Sequence, residues 1–171
     1  MTDKRIWVGA STTATWLAWI IRWFTKQKPS HAWVSYWDDT LQMRMVMEAE
    51  ARMRVVPWDW WIEADPGKRM WVYTCKIDLM PGIREYAKLI GTKYDYKNLI
   101  WHALKRFLGT WLRRPWRSPR KVLCSELLIR IFRYDKVPGA EKMDAEASTP
   151  GDLVEYWKGS WVFEKMDMEK E

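Results

Sequence analysis

Two cysteines and two histidines supply all the thiol and imidazole in 171 residues. Cys75 and Cys124 lie far apart, in no metal-ligand spacing, which argues against both a zinc module and a small disulfide-stapled secreted domain. No apolar run is long enough to cross a bilayer: Ala14 to Phe24 is too short, and Arg22 interrupts it. The N-terminus lacks the shape of a signal peptide, because Asp3, Lys4 and Arg5 precede only a brief apolar run. Internal repeats and linker-like stretches are missing as well. The expectation is one domain over residues 1–171, with its core at about 6–157 and a frayed tail over 164–171. Without leader or anchor, the expected location is the reducing cytoplasm.

Tryptophan and positive charge are abundant. The chain carries 15 Trp, 10 Met and a formal net charge of +7. Tryptophan is large and carries one N–H, so it favours half-buried sites, clefts and interfaces. Lys105, Arg106, Arg113, Arg114, Arg117, Arg120 and Lys121 fall in one stretch with no acidic residue. An anionic polymer or membrane surface is the partner such a segment suits, through Arg113, Arg114, Arg117, Arg120 and Lys121.

In chain order, Ile6–Gly9 reads as a short edge strand. Ala14–Thr25 reads as a helix apolar nearly all round, which predicts burial. Its Trp16, Trp19 and Trp23 stripe is expected to be packing, with a cleft or membrane contact as the alternative. Ser30–Trp37 is a strand with His31, Trp33 and Ser35 on one face. Asp38–Thr40 turns the chain into a second strand, Gln42–Ala49, and Arg52–Val56 follows; both pairings should be antiparallel. Pro57–Gly67 is loop-like, Met70–Ile77 is another strand with Cys75 as packing, and Pro81–Ile90 is a helix ended by Gly91. Tyr94 leads a further helix through Leu108. Thr149–Leu153 starts a late helix, and Trp161–Phe163 adds a last strand.

The chemistry gathers at Lys121–Phe132. Leu127, Leu128, Ile131 and Phe132 recur at helical spacing, so the segment is a helix with one buried face. Cys124 falls at its first turn, where the helix dipole favours thiolate. It reads as a nucleophile or as a small buried hydrophobe. A nucleophile needs a base and a group to orient that base. His31 opens a strand and is the better base; His102 lies within a helix beside Trp101. Glu48 is the acidic residue in the middle of the neighbouring strand, where a carboxylate is costly unless paired. An Nδ1–H from His31 would satisfy it and set the tautomer.

Ser30-His31 at a strand start, Met47-Glu48-Ala49 on the next strand, Tyr94-Asp95, Cys124-Ser125-Glu126-Leu127 and Thr149-Pro150-Gly151-Asp152-Leu153 follow in an order that resembles the permuted papain-like amidases. These are the YiiX-like, circularly permuted branch of the NlpC-type cysteine peptidases, in which the His strand precedes the Cys helix. The resemblance covers roughly residues 6–157. It implies an α+β, single-domain permuted papain-like fold: a small antiparallel sheet packed against helices, with the Cys at a helix N-terminus. It also implies a catalytic set of Cys124, His31 and Glu48. The expected reaction is cleavage of an amide, in a small or cell-wall peptide, through a thioester. Tyr94 and Ser125 are candidate substrate or oxyanion contacts. No metal or organic cofactor is implied. A phage-encoded or otherwise exported enzyme fits the same resemblance. The tryptophan excess and the 105–121 insert depart from the pattern and leave the substrate open.

Two other functions compete. One is a thioesterase or acyltransferase working on lipids at an anionic membrane surface. The other is a non-enzymatic basic module for nucleic acid, although no specific nucleic-acid motif is present.

Overall fold

The computed structural model of the chain describes residues 3–12, 19, 22–23, 26–93 and 123–166. Its centre is one six-stranded sheet with every neighbouring pair antiparallel. The strands are β1 (Trp7–Ser11), β2 (His31–Asp38), β3 (Met43–Ala49), β4 (Met53–Pro57), β5 (Met70–Cys75) and β6 (Phe163–Lys165). Their spatial order is β4-β3-β2-β1-β5-β6. The described α-helices are α1 (Trp58–Glu63), α2 (Met80–Ala87), α3 (Cys124–Tyr134) and α4 (Pro150–Gly159), and Ala140–Lys142 forms a 3-10 turn. The α+β class expected from the sequence holds.

Strand alternation divides the interior in two. Val8, Ala10, Ala32, Val34, Met47 and Tyr73 point to one side, against Leu127, Leu128, Ile131 and Phe132 of α3. Trp7, Trp33, Val46 and Val72 point to the other, where Trp61 of α1 covers them. Both faces of the sheet are therefore apolar, which is why β1 and β2 read as nearly continuous hydrophobic runs. Trp33 is wholly buried, and Gly9 leaves the space for its indole: a Cβ at Gly9 would overlap the ring.

Several expectations need correction. Ile6–Gly9 does not mark an edge, because β1 lies between β2 and β5. The stretch Pro57–Gly67 contains α1, since Trp58 and Trp61 fold back onto Trp33 and a helical turn brings both rings to one side. Glu164 and Lys165, expected in the tail, pair with Thr74 and Tyr73, so the last strand lies two residues later than its sequence pattern suggests; 167–171 lie outside the described residues. Trp19 and Trp23 are helical but not packed inside. They are 61% and 56% exposed, and their rings stack 6.4 Å apart. The rest of the Ala14–Thr25 helix, apart from Arg22, lies outside the described residues, as do Tyr94, His102 and the whole 105–121 basic stretch.

Candidate functional site

Helix α3 is positioned by its first turn. Leu123 has extended backbone and precedes the helix, and its N–H donates to the Glu126 carboxylate at 3.3 Å. Glu126 is also held by Arg130 one turn on, at 2.6 Å. Ser125 donates its hydroxyl proton to the Ser148 carbonyl at 2.6 Å, which ties the start of α3 to the segment leading into α4. Cys124 is thus buried at the first position of a capped, anchored helix. The first-turn dipole and the fixed backbone both act on its sulfur.

His31 is the first residue of β2 and is 5% exposed. Its Nε2 lies 2.7 Å from Glu48 Oε2, and its ring also hydrogen-bonds with Cys124. The nitrogen that meets the carboxylate is Nε2, not the Nδ1 expected from the sequence, because Glu48 sits opposite Trp33, a diagonal step along the ladder from His31, and the ring reaches it with its outer nitrogen. Nε2 being so engaged, the bond with Cys124 falls to Nδ1.

Glu48 is 1% exposed and fully hydrogen-bonded. Oε2 accepts from His31 and from Trp61 Nε1, each at 2.7 Å. Oε1 accepts from Arg54 Nε at 2.7 Å, and a second Arg54 nitrogen lies at 2.6 Å. Arg54 continues outward to Glu50 at 2.8 Å. Burial acts to raise the Glu48 pKa, but the hydrogen bonds and charges of His31 and Arg54 hold it well below the usual carboxylate range. Burial likewise works against charge on His31, yet hydrogen bonds with Cys124 and Glu48 and the charges of both raise its pKa well above that of free imidazole. The arrangement thus favours imidazolium beside an ionised carboxylate.

The three residues Cys124, His31 and Glu48, distant in sequence, meet in one buried cluster. Sequence reasoning missed Arg54 and Trp61. For Arg54 a signal existed: the short β3–β4 connection sets it directly opposite Glu48, an opposite-charge cross-strand pair. Trp61 had none, because its approach to Glu48 depends on α1 folding over the sheet. Ser125 has its hydroxyl on Ser148, and Tyr94 lies outside the described residues.

Cys75 differs in every respect. It ends β5, half-buried, and burial pushes its thiol up to about 11. A groove of about 200 Å³ opens elsewhere, lined by Lys28, Trp71, Gly151, Val154 and Lys158. Gln27 also lines it, accepting from Thr149 Oγ1 at 2.6 Å and donating to Asp152 Oδ1 at 3.1 Å. Among the described residues no helix is long and apolar enough to cross a membrane. No group of three or more His, Cys, Asp or Glu side chains there is arranged to hold a metal ion.

No protein-family model matches the sequence. No curated protein matches it either. Solved structures do match in shape. One is the crystal structure of the metalloprotein yiiX from Escherichia coli O157:H7, a DUF1105 protein. The likeness has a TM-score of 0.59 at 12% identity and covers 96% of this chain and 97% of that one. At that identity the likeness is one of fold, and it runs nearly end to end: the chain has a yiiX-like fold.

Proposed function

We propose that the protein is a cysteine hydrolase of the permuted papain-like type, with Cys124 as nucleophile, His31 as base and Glu48 as the group that orients the base. The observation that carries this reading is the single imidazole shared between the Cys124 thiol and the Glu48 carboxylate. A buried histidine that served only packing would still need hydrogen-bond partners, but not a helix-start thiol and an ionised carboxylate together. The yiiX-like fold supports the reading, and in this chain the histidine strand precedes the cysteine helix, the order that the sequence resemblance implies.

In the proposed reaction the Cys124 thiolate attacks the carbonyl carbon of an amide. N–H groups at the start of α3 stabilise the oxyanion. The tetrahedral intermediate collapses, the C–N bond breaks, and His31 passes its proton to the leaving amine. Water, deprotonated by His31, then attacks the thioester. The acid leaves, and the proton returns to the thiolate–imidazole pair. The net change is amide plus water to acid plus amine. The substrate class is a small peptide, with a cell-wall peptide the first to try.

Acyl transfer from lipids is the second reading, favoured by the exposed, stacked Trp19 and Trp23. Indole pairs of this kind suit a membrane interface. In that case the same three residues act on an ester or thioester, and the tryptophans and the basic segment meet an anionic surface.

The test is the pH dependence of Cys124 alkylation by iodoacetamide in wild type and in His31→Ala. A thiolate–imidazole pair gives reaction well below the ordinary thiol pKa of about 8.5, and His31→Ala removes it. A normal titration that ignores His31 refutes the hydrolase reading. Hydrolysis of peptide amides against lipid esters then separates the two substrates.

A further inference from the structure

We infer that Arg54 is a positioning residue of this site, which keeps Glu48 ionised and aimed so that the shared proton stays on His31. The role rests on the hydrolase reading above and deepens it. Glu48 is almost fully buried, whereas the Arg54 side chain is 39% exposed. Arg54 is therefore the route by which a buried negative charge reaches solvent. It grips Oε1 with two nitrogens, while His31 and Trp61 occupy Oε2. With both oxygens held, the carboxylate plane is set from β3, β4 and α1 together, and Nε2 of His31 meets a fixed acceptor.

The charge count gives the same role. Thiolate, imidazolium and carboxylate together leave one net negative charge in the interior. Arg54 cancels it. The other groups facing the cluster do not substitute for it. Glu50, at the outer end of Arg54, is negative. Lys68 feels the charges of Glu48 and Glu50, but only at a distance: its Nζ donates to the Trp61 carbonyl at 2.6 Å and lies 3.7 Å from the indole centroid, and it makes no ion pair with the carboxylate. β1 brings Ser11 opposite His31, which does not titrate.

Removing the positive charge has two consequences of the same sign. The Cys124 thiolate becomes harder to form beside an uncompensated carboxylate. Glu48 also binds a proton at higher pH and then stops holding His31 as imidazolium. Both move the acid limb of Cys124 reactivity upward. Burial of Arg54 against its neighbours without an electrostatic role would lower reactivity at every pH and leave that limb in place.

The experiment is the iodoacetamide profile of full-length wild type, Arg54→Gln and Arg54→Lys, with folding checked by near-ultraviolet circular dichroism. Arg54→Gln is expected to shift the acid limb upward by about one pH unit, which is about tenfold slower alkylation below the midpoint. Arg54→Lys keeps the charge and is expected to restore the midpoint with a smaller amplitude, because the fork is lost. An Arg54→Gln limb that coincides with the wild-type limb overturns the Arg54 role and leaves the hydrolase reading standing. A wild-type thiol of ordinary pKa overturns both. If Arg54→Gln does not fold, Arg54→Lys carries the test: a limb displaced as far as a pH unit, despite the retained charge, refutes the electrostatic role.

Discussion

His31 Nε2 and Glu48 Oε2 meet at 2.7 Å although the two residues are not partners in the sheet. The register sets Glu48 opposite Trp33, so His31 reaches it along the diagonal of the β2–β3 ladder. Diagonal neighbours lie farther apart than direct ones, yet within reach of long side chains. Both side chains leave the sheet on the face that Trp33 and Trp61 cover. The indoles exclude water from the pair, and Trp61 adds a hydrogen bond of its own. A histidine one residue later on β2 would point to the α3 side and lose the carboxylate.

Glu48→Gln is expected to cost stability and reactivity together. The amide cannot accept from His31, Trp61 and Arg54 with the strength of a carboxylate. Breaking a fully buried ion pair costs roughly 3–5 kcal/mol. The His31–Glu48 pair is such a pair while Arg54 reaches solvent, so a loss at the lower end, about 3 kcal/mol, is expected here. Urea unfolding at neutral pH measures it, and iodoacetamide labelling at the same pH should show slower reaction of Cys124.

The pair also predicts how stability follows pH. The Glu48 pKa is lowered from 4.5 to about 2, so its contribution is present above 4.5 and is lost as pH falls through about 2. The His31 pKa is raised from 6.5 to about 10, so its contribution is full below 6.5 and is lost as pH rises through about 10. The two overlap fully between pH 4.5 and 6.5. Midpoints of urea unfolding from pH 3 to 10 should peak in that window, and His31→Ala should flatten the alkaline decline.

Gly9→Ala is expected to destabilise the fold by about 1–3 kcal/mol through overpacking. The added methyl meets the Trp33 indole, which is buried and boxed in by Trp58 and Trp61 at 5.4 and 5.0 Å between ring centroids. The ring must move and disturb the cover over Glu48. Thermal unfolding and a change in tryptophan fluorescence test this.

The two thiols should separate cleanly. With the Cys75 thiol pushed up to about 11, that sulfur is expected to stay protonated and unlabelled near neutral pH. Mass spectrometry after brief iodoacetamide treatment at pH 7 should find one adduct, on Cys124. A second adduct, on Cys75, belongs to strongly alkaline conditions.

Gln27→Ala is expected to loosen the joint between the chain entering β2 and the start of α4. Two hydrogen bonds are lost, to Thr149 and Asp152, at about 1 kcal/mol each. Gly151 packs directly beneath the Gln27 amide, which leaves no room for a side chain there. Hydrogen exchange should report faster opening at residues 149–153, with α3 unchanged.

Local pattern by itself determined much of this protein. Alternation in β2 put His31 and Trp33 on one face, as observed, whereas it is the β2–β3 register that brings Glu48 to that same face. Helical spacing in α3 named the buried side of the Cys124 helix. Both signals are periodic, and burial on one side of an element imposes them directly on the sequence. Tertiary structure alone decided the rest. The choice of Nε2 over Nδ1 depends on the register that sets Glu48 a diagonal step from His31. Trp61 reaches Glu48 because α1 folds over the sheet, and Trp58–Trp61 is apolar enough to read equally as a loop under cover. Trp19 and Trp23 look like core by composition, yet they are exposed. An indole stripe has the same sequence signature whether a sheet, a membrane or solvent lies against it, because hydrophobicity records what can be buried and not what is there to bury it.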